Sequence, residues 1–193
     1  MIKKISYAVS IVLMIGYFMA LFVSLRYSGK SFMYENYYLS DNLGRYTSEE
    51  EFKTTYIPNR EILYTADGNF RNQGVGWSGT EANATWAVGD KSTFCFYVQD
   101  IKTEYLIRII LEGRIGYENE LYINGVDIGP LIFSDSSCEV PVPAELLVAG
   151  LNVFTIKAKE EVLNYNIKNP NATDTRKLNL YVHSIELVEN LKS

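Results

Sequence analysis

Asn124-Gly125 lies between two apolar, β-prone runs, residues 118–123 and 126–128. Asn and Gly accept positive φ at both central positions of a type I′ turn, so the pair predicts a tight hairpin. Downstream, Val140-Pro141-Val142-Pro143 predicts a strand near a sheet edge, because proline cannot donate to a ladder. Residues 145–148 read as a short helical turn that Gly150 ends. In Gly150-Leu151-Asn152, the Asn side chain can hydrogen-bond local backbone as a new strand begins. The order is strand, tight turn, strand, proline-bounded edge, helical turn, Gly-x-Asn, strand. That is the order of a β-sandwich.

The strands around this stretch follow the same logic. Residues 61–66, 84–88, 92–98, 105–111, 137–142, 151–158 and 177–188 are β-prone and separated by turn residues such as Asp67-Gly68 and Gly89-Asp90. In 92–98, Phe94, Phe96 and Val98 fall on one face, Cys95 and Tyr97 on the other. Residues 105–111 are nearly all apolar, which predicts a central strand covered on both faces, or a bulge with Arg108 at the rim. Eight or nine short strands, with no strand–helix alternation, argue a sandwich or jelly roll.

The pattern Asn-Gly, apolar, x, apolar, Gly, followed by apolar-Pro, x, x, Leu-Leu, x, x, Gly-x-Asn-x-apolar, resembles the galactose-binding-like jelly rolls. These include sugar-binding domains of glycoside hydrolases. A similar arrangement occurs in extracytoplasmic domains of bacterial membrane proteins that handle cell-surface polysaccharide. Residues 74–187 can be laid on that scheme. The resemblance implies an all-β, jelly-roll β-sandwich of galactose-binding-like type. Asn124, Gly125, Gly150 and Asn152 themselves read as turn and core chemistry.

The first 27 residues read differently. Lys3-Lys4 precede an uncharged run over residues 5–25, which Arg26 ends. About 20 apolar residues span a bilayer core as a helix. The run is longer than the apolar part of a cleaved signal peptide and no Ala-x-Ala-like site follows. The expectation is a signal-anchor transmembrane helix over residues 1–27, with Lys3 and Lys4 cytoplasmic and the C-terminal domain extracytoplasmic. Residues 28–60 read as a juxtamembrane linker that either spaces the domain from the membrane or packs along it. They carry Tyr34, Tyr37 and Tyr38, and a short helix near 48–55. Thr47-Ser48 followed by three glutamates is a capped first turn, and Pro58 stops the helix. The sandwich is expected over 61–193.

A net charge of −5 argues against a general grip on nucleic acid. One histidine and no Cys-x-x-Cys argue against zinc. No cofactor is expected; for structural calcium, which related sandwiches hold, the acidic residues form no Asp-x-Asp-x-Asp loop. Cys95 and Cys138 fall in separate strands and stay open between a disulfide and two buried thiols.

Two segments carry candidate ligand chemistry. Gly76-Trp77-Ser78-Gly79-Thr80-Glu81, then Thr85-Trp86, resembles a segment of the polysaccharide-associated domains, in which Gly-aromatic-Ser-x-x-Glu precedes an aromatic strand. Trp77, in a glycine-rich loop, is a candidate for stacking on a sugar face, with Glu81 accepting hydroxyl hydrogen bonds. The alternative makes Trp77 a lid on the core and pairs Glu81 with a cation such as Arg176. Trp86, in a strand, reads as core. The second segment packs Asn164, Asn166, Asn169, Asn171, Asp174 and Arg176 around Pro170. Asp174-x-Arg176-x-Leu178 also resembles those domains, with Asn179 where they carry Gly. Arg176 offers a planar fork for carboxylates or vicinal hydroxyls, or an internal bridge to Asp174. Asn83-Ala84-Thr85 and Asn171-Ala172-Thr173 are glycosylation sequons.

The candidate ligand-binding residues are Trp77, Glu81, Asn166, Asp174 and Arg176, with no catalytic residue and no metal ligand. His183 reads as structural, without a nucleophile partner, and a glycosidase pair of Glu81 and Asp174 is disfavoured in so small an accessory-type domain. The expected function is a membrane-anchored, extracytoplasmic carbohydrate-binding or accessory module of a cell-surface polysaccharide system, not an enzyme. The alternative is a non-catalytic assembly subunit that binds a membrane protein partner.

Overall fold

The computed structural model describes residues 2–28, 32–40, 42–101 and 104–190. Among them are nine strands: β1 Glu61–Leu63, β2 Thr85–Val88, β3 Lys91–Val98, β4 Glu104–Arg114, β5 Asn119–Ile123, β6 Val126–Pro130, β7 Ser137–Val142, β8 Gly150–Ala158 and β9 Leu178–Asn190. They pair into two antiparallel sheets. One runs β1-β9-β4-β7, with β2 also on β9; the other runs β3-β8-β5-β6. From β2 onward the chain changes sheet at every connection except the β5–β6 hairpin. The two inner faces meet in one core, where Phe94 and Phe154, opposite one another in the β3–β8 ladder, stack at 5.3 Å.

The hairpin turn is as the sequence predicts. Asn124 and Gly125 have φ of 49° and 86°. The turn is tied to the Gly-x-Asn strand start by a small amide network. Asn124 Nδ2 donates to Asn152 Oδ1 at 2.9 Å and to the Leu146 carbonyl at 2.8 Å. Asn152 Oδ1 also accepts from Val148 N, and its Nδ2 donates back to the Val148 carbonyl. A Cβ at Gly125 would meet nothing within 4 Å, so a substitution there is resisted by backbone conformation alone. Gly125→Val is therefore expected to cost about 1–3 kcal/mol. A melting temperature unchanged within error would contradict the I′ turn.

β7 is an edge strand, with Pro141 opposite Leu106. In β4 the burial alternates, Tyr105, Ile107, Ile109 and Leu111 inward. The strand is central but covered on one face only, which corrects the expectation of two covered faces. Arg108 lies mid-strand on the outer face, bonded to Glu139 at 2.8 Å and Glu186 at 2.9 Å across the neighbouring strands. The irregular register of β4 falls later, between Ile110 and Gly113.

In β3 the separation into one inner and one outer face does not hold, since Cys95 is as buried as Phe94 and Phe96. The segment around residues 42–44 covers it. Cys95 Sγ donates to the Asn42 carbonyl at 3.3 Å, and Leu43 is buried in the same core. Cys95 and Cys138 are free thiols on opposite sheets. Burial pushes the Cys95 thiol far above its ordinary range.

Residues expected to form a linker contribute Met33, Leu43, Phe52 and Tyr56 to the core cluster. Helix α2, Glu49–Thr55, starts at Ser48, whose Oγ accepts from Glu51 N at 3.1 Å, as the capped turn predicts. Helix α1 covers Ile2–Ser28; its side chains are described for residues 10–24, all exposed. Among the described residues no helix is long and apolar enough to cross a membrane, so the transmembrane helix expected over 1–27 is not found there.

Candidate functional site

Two neighbouring loops and two strands bring the polar candidates together on the outer face of the β1-β9-β4-β7 sheet. Glu81 sits in the loop before β2, held by its backbone N–H to the Ala84 carbonyl. Asp174 and Arg176 lie just before β9. Their loop is folded back by the short helix α3, Tyr165–Lys168, whose Tyr165 and Asn166 N–H groups donate to the Arg176 and Asp174 carbonyls. Arg176 grips Asp174 through Nε and Nη2, the latter at 2.7 Å, and also donates its backbone N–H to Oδ1 at 2.8 Å. The far side of the same guanidinium reaches Glu81 Oε1 at 3.4 Å. Tyr181 Oη donates to the other Glu81 oxygen at 3.0 Å. Glu81, Asp174 and Arg176 thus form one ionic cluster with Tyr181. Asn166 joins it through the backbone; its Oδ1 is buried and has no hydrogen-bond donor among the described residues.

Charge on the Asp174–Arg176 pair is stable. The Arg176 hydrogen bonds hold the Asp174 carboxyl below the usual carboxylate range, and Asp174 in turn raises Arg176. A depressed carboxyl stabilises the fold above its unfolded pKa and loses that contribution as pH falls through the folded value. The Asp174–Arg176 pair therefore keeps its charges at neutral and mildly acidic pH. This also bears on catalysis. A glycosidase acid needs a raised carboxyl, and Asp174 moves the other way.

Trp86 occupies a different place from the one its sequence context suggests. It is half-buried on the outer face of β2, not in the core. Directly across the ladder from it, Tyr181 stacks on its ring at 4.6 Å and 20°. On the other side of Tyr181, β4 presents Gly113, where a Cβ would meet only Tyr181 Cβ, at 3.9 Å. The aromatic pair is therefore not closed over from β4 at that position. Further along, His183 Nδ1 is 2.7 Å from the Asn83 carbonyl and 3.6 Å from Glu112 Oε1.

Trp77 goes to the opposite side. It bridges to Ala87, an inward position of β2, so its indole turns toward the core. Nε1 donates to the Thr93 carbonyl at 2.6 Å, and the ring packs on buried Tyr64 at 5.0 Å. This is the lid position, and it leaves Trp77 apart from the ionic cluster. Trp86 and Tyr181, which sequence reasoning did not place in the site, are the aromatic partners of that cluster. Their signal was the alternation of β2, where Thr85 and Ala87 are the buried positions and Trp86 falls between them.

A separate cleft of about 610 Å³ involves Tyr117, Phe133 and Lys159, with the Arg114 guanidinium 5.5 Å over the Phe133 ring. Sequence reading singled out none of these. Among the described residues no group of three or more His, Cys, Asp or Glu side chains is placed to hold a metal ion.

No family model and no curated protein matches the chain. The chain is similar to solved structures of family 35 carbohydrate-binding modules. One is a family 35 carbohydrate-binding module from an environmental isolate, at 20% identity and a TM-score of 0.36, covering 67% of this chain and 82% of that one. Another is a family 35 module from Clostridium thermocellum, at 14% identity and a TM-score of 0.35, covering 65% and 96%. A third, from Cellvibrio japonicus, has 17% identity and a TM-score of 0.32, covering 67% and 89%.

Proposed function

We propose that this chain is a non-catalytic glycan-binding module of a cell-surface polysaccharide system, held to a membrane by its N-terminal helix with the sandwich outside the cytoplasm. The observation that carries the binding part is the Trp86–Tyr181 stack beside the Glu81–Arg176–Asp174 cluster. An aromatic surface favours the apolar C–H face of a sugar ring. The carboxylates and the guanidinium beside it offer acceptors and donors to ring hydroxyls, in charge-assisted hydrogen bonds stronger than neutral ones. Because the ions already hold one another, the site is preorganised and binding need not order them. Trp86, Tyr181, Glu81, Asp174 and Arg176 make the contacts, with Asn166 supporting Asp174 from behind.

The anchoring part rests on the uncharged run over residues 5–25, with Lys3-Lys4 before it.

A glycan array probed with the detergent-solubilised full chain tests the binding reading. The wild type is expected to be retained by a subset of glycans, and Arg176→Ala to lose that retention. An array on which the wild type retains nothing would overturn the glycan reading and leave the assembly-subunit alternative.

A further inference from the structure

The segment that follows α1 is pinned to the sandwich, yet turns several large side chains outward. Met33 and Leu43 are buried in the core, and the Gly44 N–H donates to the Gln73 carbonyl. Leu43 N–H donates to the Asn36 carbonyl, and Asn42 Nδ2 to Asn36 Oδ1. Between these pins runs a π-helical turn, Tyr34–Leu39. There Tyr38 and Leu39 are 64% and 66% exposed; Tyr46, 67% exposed, precedes Thr47, whose N–H donates to Met33 Sδ at 3.3 Å. The tyrosines are not independent. Tyr38 packs against Tyr37 at 4.8 Å and against Tyr34 at 6.0 Å. The result is a preformed aromatic patch on a fixed backbone.

Chain length places this patch close to whatever holds α1. The helix ends at Ser28 and the first core residue after it is Met33. Five residue steps reach roughly 18 Å at most. If α1 spans a bilayer, the sandwich must sit directly over the membrane, on the side where the segment is attached. That side is the β3 edge: Gly74 N–H donates to the Thr93 carbonyl, Thr93 N–H to Val75, and Cys95 Sγ reaches Asn42. β6 is at the far edge of the same sheet. Tyrosine is enriched where an apolar body meets a polar headgroup layer.

We infer that Tyr34, Tyr38, Leu39 and Tyr46 form a membrane-seating surface, which lies in the headgroup layer of the bilayer that holds α1 and fixes the orientation of the sandwich. This rests on the anchoring part of the proposed function and is independent of glycan binding. Seating at the β3 edge turns the β6 edge away from the bilayer.

The test uses the full chain in phosphatidylcholine vesicles, with single environment-sensitive fluorophores on Tyr38→Cys, Tyr46→Cys and, as reference, Val126→Cys on β6. Cys95 and Cys138 are buried and stay unlabelled in the folded protein. With a nitroxide quencher carried near the lipid headgroup, labels at 38 and 46 are expected to be quenched at least about twofold more than the label at 126. Flotation separates the two readings. A chain that floats with its vesicles, but shows equal quenching at all three positions, overturns the seating surface and keeps the anchor. A chain that does not float overturns both. Labels at 38 and 46 shielded without lipid quenching, in a chain that sediments as a dimer, would assign the patch to a second copy and overturn the inference.

Discussion

Phe52→Ala is expected to lower the melting temperature by roughly 8–16 °C, from a loss of about 4 kcal/mol at 2–4 °C per kcal/mol for a chain of this size. Phe52 is fully buried in α2, between Phe32 at 5.5 Å and Tyr56 at 4.6 Å. Truncation removes the transfer energy of the ring and leaves a cavity beside Phe32 and Tyr56. A residue in a solvated spacer would give almost no change. The thermal scan therefore asks whether the residues between α1 and β1 are part of the folded unit. A shift of no more than a degree or two would show that they are not.

Trp77→Ala is expected to be nearly as damaging, at about 3–4 kcal/mol. The change removes the ring from Tyr64 and leaves the Thr93 carbonyl without its indole donor. Tyr64 is itself buried, with its hydroxyl on Asn72 Oδ1 at 3.1 Å, so the cavity opens onto a polar network. Where the variant is still folded, glycan affinity is expected to stay within about threefold of wild type, roughly 0.7 kcal/mol. The opposite pattern, a stable variant that has lost its glycan, would return Trp77 to the site as a stacking platform.

What the sequence made legible was local chemistry. Asn124-Gly125 needed only its own φ preferences, Ser48 only the N–H of Glu51, and Pro141 only its missing donor. Asn152 was legible for the same reason, since its first partners lie within four residues. Sidedness in the loops was not legible. Trp77 and Trp86 are nine positions apart with no periodicity between them, and a single bridge from Trp77 to Ala87 decides which indole turns inward. The cover over Cys95 comes from Asn42, 53 residues earlier. No pattern in either strand or loop encodes that contact. The ionic cluster is an intermediate case. The bond from Asp174 to Arg176 spans two residues and was one of two readings, whereas Glu81 reaches Arg176 across 95 positions. There the residue types suggested the partnership, and the fold supplied the distance. Tyr181 could be joined to the cluster only once the β2–β9 register set it opposite Trp86.

Calorimetric titration of an array-retained oligosaccharide into wild type and Trp86→Ala tests the central claim most directly. Trp86 is half-buried and stacked on Tyr181 alone among the described rings, so its removal is expected to cost the fold only about 0.5–1.5 kcal/mol. Loss of a stacking anchor is worth on the order of 2 kcal/mol of binding, so the affinity should fall roughly thirtyfold while the protein remains folded at the temperature of the titration. Equal affinity in the two proteins would contradict a glycan site built on the Trp86–Tyr181 face.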